Sequence, residues 1–227
     1  LAEPRRLLAQ GRMLTLTGFG GVGKTRLAMK IATELRRTFA DGVWFVDLTS
    51  LHDPQLLPHT VANTLELRQV SANPAADLAT YLEDLELLLV LDNCEHLTDA
   101  CAILASKLLA AAPGLTILAT SRHVLGVEGE QILAVPPLST PDAEVRAGDA
   151  SHYEAVQLFL ARASAVADAL RDGGVGAGDR VAVVAPNVPA LVVSLFASWQ
   201  LGAGAVPLSG RLRGVDLTGA LEVAAPG

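Results

Sequence analysis

The 227-residue sequence predicts an α/β protein, a parallel sheet sandwiched by helices and followed by a partial second α/β segment. Three observations predict it. From Met13 to Val135, short β-rich runs alternate with helical patterns, which is how a sheet built by crossover helices reads. The runs are continuously apolar, as in Leu87 to Leu91, and that suits strands covered on both faces. At Pro136 the composition changes to that of a linker, and a shorter strand–helix alternation begins beyond it.

The elements follow in order. Residues 1–10 carry Arg5 and Arg6 but no apolar core or small-residue cleavage site, so no signal peptide is expected. Strands are expected at 13–17, 43–48, 87–91, 115–120 and 131–135. The helix after Lys24 sets Leu27, Ile31 and Leu35 at four-residue spacing on one face, and Asp41-Gly42 turns the chain into the next strand. A helix near Thr98, with Thr98 as its N-cap, turns Leu104, Leu108 and Leu109 inward and stops at Pro113-Gly114. A linker is expected over 139–152. A helix over 153–172 follows, with Val156, Phe159, Leu160, Ala163, Val166 and Leu170 as one stripe. Beyond it, a strand at 180–185, a helix at 190–201, a strand at 204–208 and a closing helix at 217–223 complete the alternation. About fifty residues of this kind are too few for an independent doubly wound sheet.

Composition bounds the function. With 51% hydrophobic and 18% charged residues, the chain is a folded one, and its length corresponds to one domain plus a piece of another at roughly 100–200 residues per domain. Seventeen Lys and Arg against 24 Asp and Glu give a net charge of −7, which disfavours a phosphate-neutralising surface, so no direct DNA contact is expected. Cys94 and Cys101 fit no metal-ligand spacing and read as a reduced pair in a cytoplasmic protein, with a disulfide or metal site as the alternative. Between Arg180 and Arg211 no side chain is charged, but Pro186, Asn187, Pro189 and Gln200 interrupt the run, favouring strand, turn, helix and strand over a membrane span.

Gly18-Phe19-Gly20-Gly21-Val22-Gly23-Lys24-Thr25 satisfies GxxxxGK[ST] and lies directly between a strand and a helix, the context that identifies a P-loop. Glycines let backbone N–H groups converge on phosphate oxygens, and the helix N-terminus adds partial positive charge. The candidate nucleotide-binding residues are Gly18, Gly20, Gly21, Val22, Gly23, Lys24, Thr25 and Arg26. Lys24 would reach the β- and γ-phosphates and the Thr25 hydroxyl would ligate Mg²⁺. Asp92, ending the run from Leu87 to Leu91, is the second acid that such a metal requires. Asn93 follows where many such ATPases place another carboxylate. Glu95 is the nearest residue to orient a water, or else a solvated loop residue. Arg122, after the strand ending at Thr120, lies on the ligand side of the sheet, where it could sense a γ-phosphate or make a surface salt bridge.

Several segments together resemble the nucleotide-binding domain of STAND-class P-loop NTPases, as found in large bacterial transcriptional regulators of the LuxR and SARP types. They are LTLTGFGGVGKTRL (14–27), DGVWFVDL (41–48), LLVLDNCEHL (88–97), PGLTILATSR (113–122) and GVEGEQILAVPPL (126–138), continuing into AVQLFLARA (155–163). The resemblance implies a domain over 1–138 that binds ATP or ADP with Mg²⁺ as a conformational switch. It further implies Lys24 and Thr25 on phosphate and metal, Asp92 on the metal and Arg122 as phosphate sensor. Weak ATP hydrolysis or none is expected, with self-association or effector modules supplied outside this segment. The family's Gly-Leu-Pro-Leu segment is absent, and His123 stands where relatives commonly carry an acid.

Residues 166–217, including ALRDGGVGAGDRVAVVAPNVPALVV and LGAGAVPLSGRL, are similar to the N-terminal part of adenylate-forming enzymes, the acyl-CoA synthetase superfamily. Neither that family's second ATP loop nor its lysine-bearing C-terminal domain is present. The resemblance implies a partial segment over 173–227 without ligase activity. The two resemblances meet near residue 164, inside one helical stripe.

Overall fold

The computed structural model describes residues 2–67, 70–142, 145, 149–186, 188–209, 211 and 218. It divides into two compact units, residues 1–137 and 138–227. The first contains β1 (Met13–Thr17), β2 (Val43–Asp47), β3 (Leu88–Asp92), β4 (Thr116–Ser121) and β5 (Glu130–Ala134) in one sheet of order β2-β3-β4-β1-β5. Every pairing is parallel. Around the sheet run α1 (Ala2–Gln10), α2 (Lys24–Leu35), α3 (Leu57–Thr64), α4 (Pro74–Leu82) and α5 (Thr98–Ala111).

Alternation along the strands builds two cores, because successive side chains point to opposite faces of a sheet. Leu14, Leu16, Leu88, Val90 and Leu118 pack with Leu7 of α1 and with Ala28, Ile31 and Leu35 of α2. Met13, Leu89, Leu91, Ile117 and Ala119 pack on the other face with Val61 of α3, Leu78 and Leu82 of α4, and Leu104 and Leu108 of α5. The central strands are buried along nearly their whole length because both faces are covered, whereas the edge strands β2 and β5 are only partly buried. Arg12 ties the layers together at the far end of the sheet. Its guanidinium donates to the carbonyls of Leu109 and Ala112, both at 2.7 Å, satisfying acceptors that the end of α5 leaves open.

The sheet agrees with the sequence expectation, with strand ends displaced by about one residue. One local expectation is corrected. Thr98 is the first residue of α5 rather than its N-cap, and its hydroxyl donates to the Glu95 carbonyl. The expected face of α2 is present: Ala28, Ile31, Ala32 and Leu35 are buried on it, and the half-buried Leu27 packs against the same core. Helices α3 and α4 fill the connection between β2 and β3, for which no element was expected.

The second unit holds α6 (Glu154–Asp172), β6 (Arg180–Ala185), α7 (Pro189–Gln200) and β7 (Gly204–Ser209), with β6 and β7 paired in parallel. The described residues of the uncharged stretch between Arg180 and Arg211 therefore form strand, helix and strand. Among the described residues no helix is long and apolar enough to cross a membrane. The start of α6 is capped from a distance: the Glu154 N–H donates to Ser139 Oγ, and the Ser139 N–H donates to the Glu154 carboxylate. Phe159, Phe196 and Trp199 form an aromatic chain with ring centroids 5.0 and 5.2 Å apart. The expected stripe on α6 is narrower than read. Ala163 and Ala167 are buried, whereas Leu160 is exposed, because a two-stranded sheet covers little of a helix. The expected closing helix falls outside the described residues, except for Thr218.

Cys94 and Cys101 are free thiols, both buried. The Cys94 thiol is pushed well above its ordinary value by its hydrogen bond with Cys101 and by burial, which keeps it protonated and unreactive at neutral pH.

The central position of Leu89, fully buried on the α4–α5 face, sets a stability test. Leu89→Ala should lower the unfolding free energy of the first unit by about 2–5 kcal/mol in a urea titration. A loss below about 1 kcal/mol would show that this layer repacks around the cavity.

Candidate functional site

The sheet order places β4 between β1 and β3, and this builds the site. The register sets Thr17 opposite Ser121 and Leu91 opposite Ala119, so the loop after β1, the end of β3 and the end of β4 converge at the carboxyl edge. In open parallel sheets that edge is where ligands bind.

The loop after β1 adopts a conformation that its glycines permit. Gly18 has φ 152°, and a Cβ there would lie 2.8 Å from the Val135 carbonyl oxygen. Gly23 has φ 102° directly before α2, where an L side chain would be strained. Lys24 is buried at the helix start, and its ammonium donates to the carbonyls of Gly18 at 2.8 Å and Phe19 at 3.1 Å, inside the loop. Thr25 Oγ1 lies 2.9 and 3.0 Å from the two carboxylate oxygens of Asp92.

Asp92 is 5% exposed, and a carboxylate so enclosed requires donors. Thr120, at the end of β4, supplies one at 2.6 Å, and the same hydroxyl accepts from the Asn93 N–H at 2.9 Å. Asn93 itself takes a left-handed conformation, φ 66°, which turns the chain sharply after β3. The turn brings Glu95 towards β4, where Arg122 Nε donates to Glu95 Oε1 at 3.1 Å.

These groups surround a cavity of about 280 Å³ lined by the loop glycines 20, 21 and 23, Lys24, Thr25, Arg26, Asn93, Glu95, Thr120 and Arg122. Gly18, Val22 and Asp92 stand behind this lining, Asp92 bonded to Thr25 and Val22 packed toward Gly18. The structure thus brings together all the residues singled out in the sequence. Thr120 was missed, because a threonine ending an apolar strand carries no signal until its neighbour is known. The side chains fit an anionic ligand with a hard cation. Lys24, Arg26 and Arg122 supply positive charge, and a hydroxyl and a carboxylate lie side by side as oxygen donors. Among the described residues no group of three or more His, Cys, Asp or Glu side chains is placed to hold a metal by itself.

A larger cavity of the first unit, about 440 Å³, lies between α2 and β2 and is lined by Met29, Arg36, Trp44 and Phe45 among others. It shares no residue with the site and has no comparable convergence of polar groups, so the smaller cavity is the candidate.

Comparison with known proteins bears on both units. The AAA domain family matches residues 7–123, and the AMP-binding enzyme family matches residues 140–226. A Mycobacterium tuberculosis protein with the provisional name of an HTH-type transcriptional regulator is 46% identical over 165 residues, 71% of this chain. The chain spans 17% of that regulator's length. Feruloyl-CoA synthase from an Amycolatopsis species is 48% identical over 60 residues, 26% of this chain and 12% of the synthase. The structure of Drosophila ORC bound to DNA shares the fold, with TM-score 0.52 at 15% identity over 75% of this chain and 48% of that one. The AAA domain match takes in more than half of the 227 residues, from α1 past the end of β4, and this chain belongs to that family of P-loop NTPases.

Proposed function

We propose that the first unit is an ATP- or ADP-binding module of the STAND kind, a nucleotide-dependent switch from a cytoplasmic bacterial transcriptional regulator. The observation that carries this reading is the cluster of Thr25, Asp92 and Thr120 beneath the glycine loop, with Lys24 at the same helix start. In this reading residues 1–138 are the nucleotide-binding domain, 139–152 a linker and 153–172 a helix leading into 173–227. Similarity to the mycobacterial regulator supports the regulatory setting. Contact with DNA, self-association and output are assigned to regions outside this chain.

The loop amides, Lys24 and Arg26 would bind phosphate oxygens, and Arg122 would contact the γ-phosphate of ATP. Thr25 and Asp92 would hold Mg²⁺, which when bound offsets phosphate charge. Glu95, or a network of bound water, would orient an attacking water. Asn93 occupies the place where many such ATPases carry a second carboxylate, so hydrolysis is slow or absent.

A second reading rests on the AMP-binding match and on a cavity of about 540 Å³ at the carboxyl ends of β6 and β7, lined by Leu191, Ser209 and Arg211 among others. It is an adenylate-forming ligase segment. With two strands and two helices described, it is expected to be inactive.

Calorimetric titration should show Mg²⁺-dependent binding of ATP or ADP, weakened about tenfold to a hundredfold in Lys24→Ala as charge-assisted phosphate contacts are lost. Equal affinity in the variant would defeat the proposal. In a single-turnover assay, hydrolysis should be slow enough that most of the bound ATP outlasts many minutes; rapid turnover would reject the switch reading in favour of an active ATPase. Pyrophosphate exchange stimulated by an aryl acid should stay at background, and stimulation above it would establish the ligase reading.

A further inference from the structure

Glu95 and Arg122 meet across the mouth of the cavity, one from the turn after β3 and one from the end of β4. Their bond uses Arg122 Nε and a single carboxylate oxygen. The bond therefore leaves the terminal nitrogens of the guanidinium for another partner. Those nitrogens reach over the glycine loop: a Cβ built on Gly20 would stand 3.1 Å from Arg122 Nη2. The Arg122 side chain is 60% exposed and the Glu95 side chain 16%, so the acid is the fixed partner and the arginine the movable one.

A pair this open contributes little to folding. The other carboxylate oxygen, Oε2, is buried without a hydrogen-bond partner, which weighs against retaining Glu95 for stability. An acid at such a disadvantage, with its partnered oxygen on an arginine that overhangs the loop, has a geometric role.

We propose that Glu95 is a positioning residue that sets discrimination between a nucleoside triphosphate and a diphosphate, by holding the Arg122 guanidinium with its terminal nitrogens over the phosphate loop. The inference rests on the nucleotide-binding reading above. Without the carboxylate, the arginine samples many rotamers, and the ordering it requires on binding falls on the ligand. In this reading Arg122 contacts the third phosphate, so the effect falls on the triphosphate.

The test measures dissociation constants of MgATP and MgADP for the full chain and for Arg122→Ala, Glu95→Ala, Glu95→Gln and the double alanine variant. Arg122→Ala should weaken ATP relative to ADP by about tenfold, the size of one charge-assisted contact. Glu95→Ala should lower the ratio by a similar factor, and the double variant by no more than either single one. Glu95→Gln retains an acceptor for Arg122 Nε and should recover most of the ratio, which a merely structural role would not produce. An unchanged far-UV circular dichroism spectrum and urea midpoint in each variant report an intact fold. A ratio unmoved by Glu95→Ala, additive losses in the double variant, or no recovery with glutamine would overturn the proposal while leaving nucleotide binding in place. Absence of binding of either nucleotide to the wild-type chain would overturn the functional reading and this inference together.

Discussion

The carboxylate of Asp92 is enclosed at the end of the central strand β3, and its hydrogen bonds to Thr25 and Thr120 join three parts of the sheet edge. A buried carboxylate without donors is strongly unfavourable, so the two hydroxyls constrain where α2 begins and where β4 ends. The constraint reaches further, because Thr120 also receives the Asn93 N–H and so fixes the left-handed turn that carries Glu95. The glycine loop, the acid and the arginine are thereby held in one small volume by a network with few members.

That network works because the sheet beneath it is packed on both faces. Leu14, Leu16, Leu88, Val90 and Leu118 bury one side, and Met13, Leu89, Leu91 and Ile117 bury the other. Dense packing on both sides leaves the strand ends little freedom, and hydrogen bonds formed at that edge then meet with small loss of entropy. Among the described residues the second unit lacks this support. Its two strands cover parts of α6 and α7, and Val184, Val192, Phe196 and Trp199 remain substantially exposed. A two-stranded sheet has too little area to bury two apolar helices, which agrees with a segment that resembles part of a larger enzyme.

Much of the first unit was legible in the sequence for a simple reason. Strands covered on both faces are apolar at most positions, so β1, β3 and β4 appear as largely apolar runs between turn residues. The loop from Gly18 to Thr25 is also a local object, since its conformation depends on glycines adjacent in the chain. Helices α3 and α4, of eight and nine residues, were not legible, since short helices owe their stability to the surface they pack on. Leu160 was misread for the related reason that a stripe shows which residues could be buried, and the partner decides how many are.

The sequence by itself determined the parallel sheet, the phosphate-type loop and the identity of its candidate acid and arginine. Each is encoded by neighbours in the chain or by a periodicity that one element carries alone. Only the tertiary structure decided that Thr120 holds Asp92, that Asn93 turns the chain and that Glu95 holds Arg122. Those relations join residues 27 or 28 positions apart, and they depend on β4 lying between β1 and β3. Strand order is set by the packing of whole helices onto both faces, a collective property that no single segment contains.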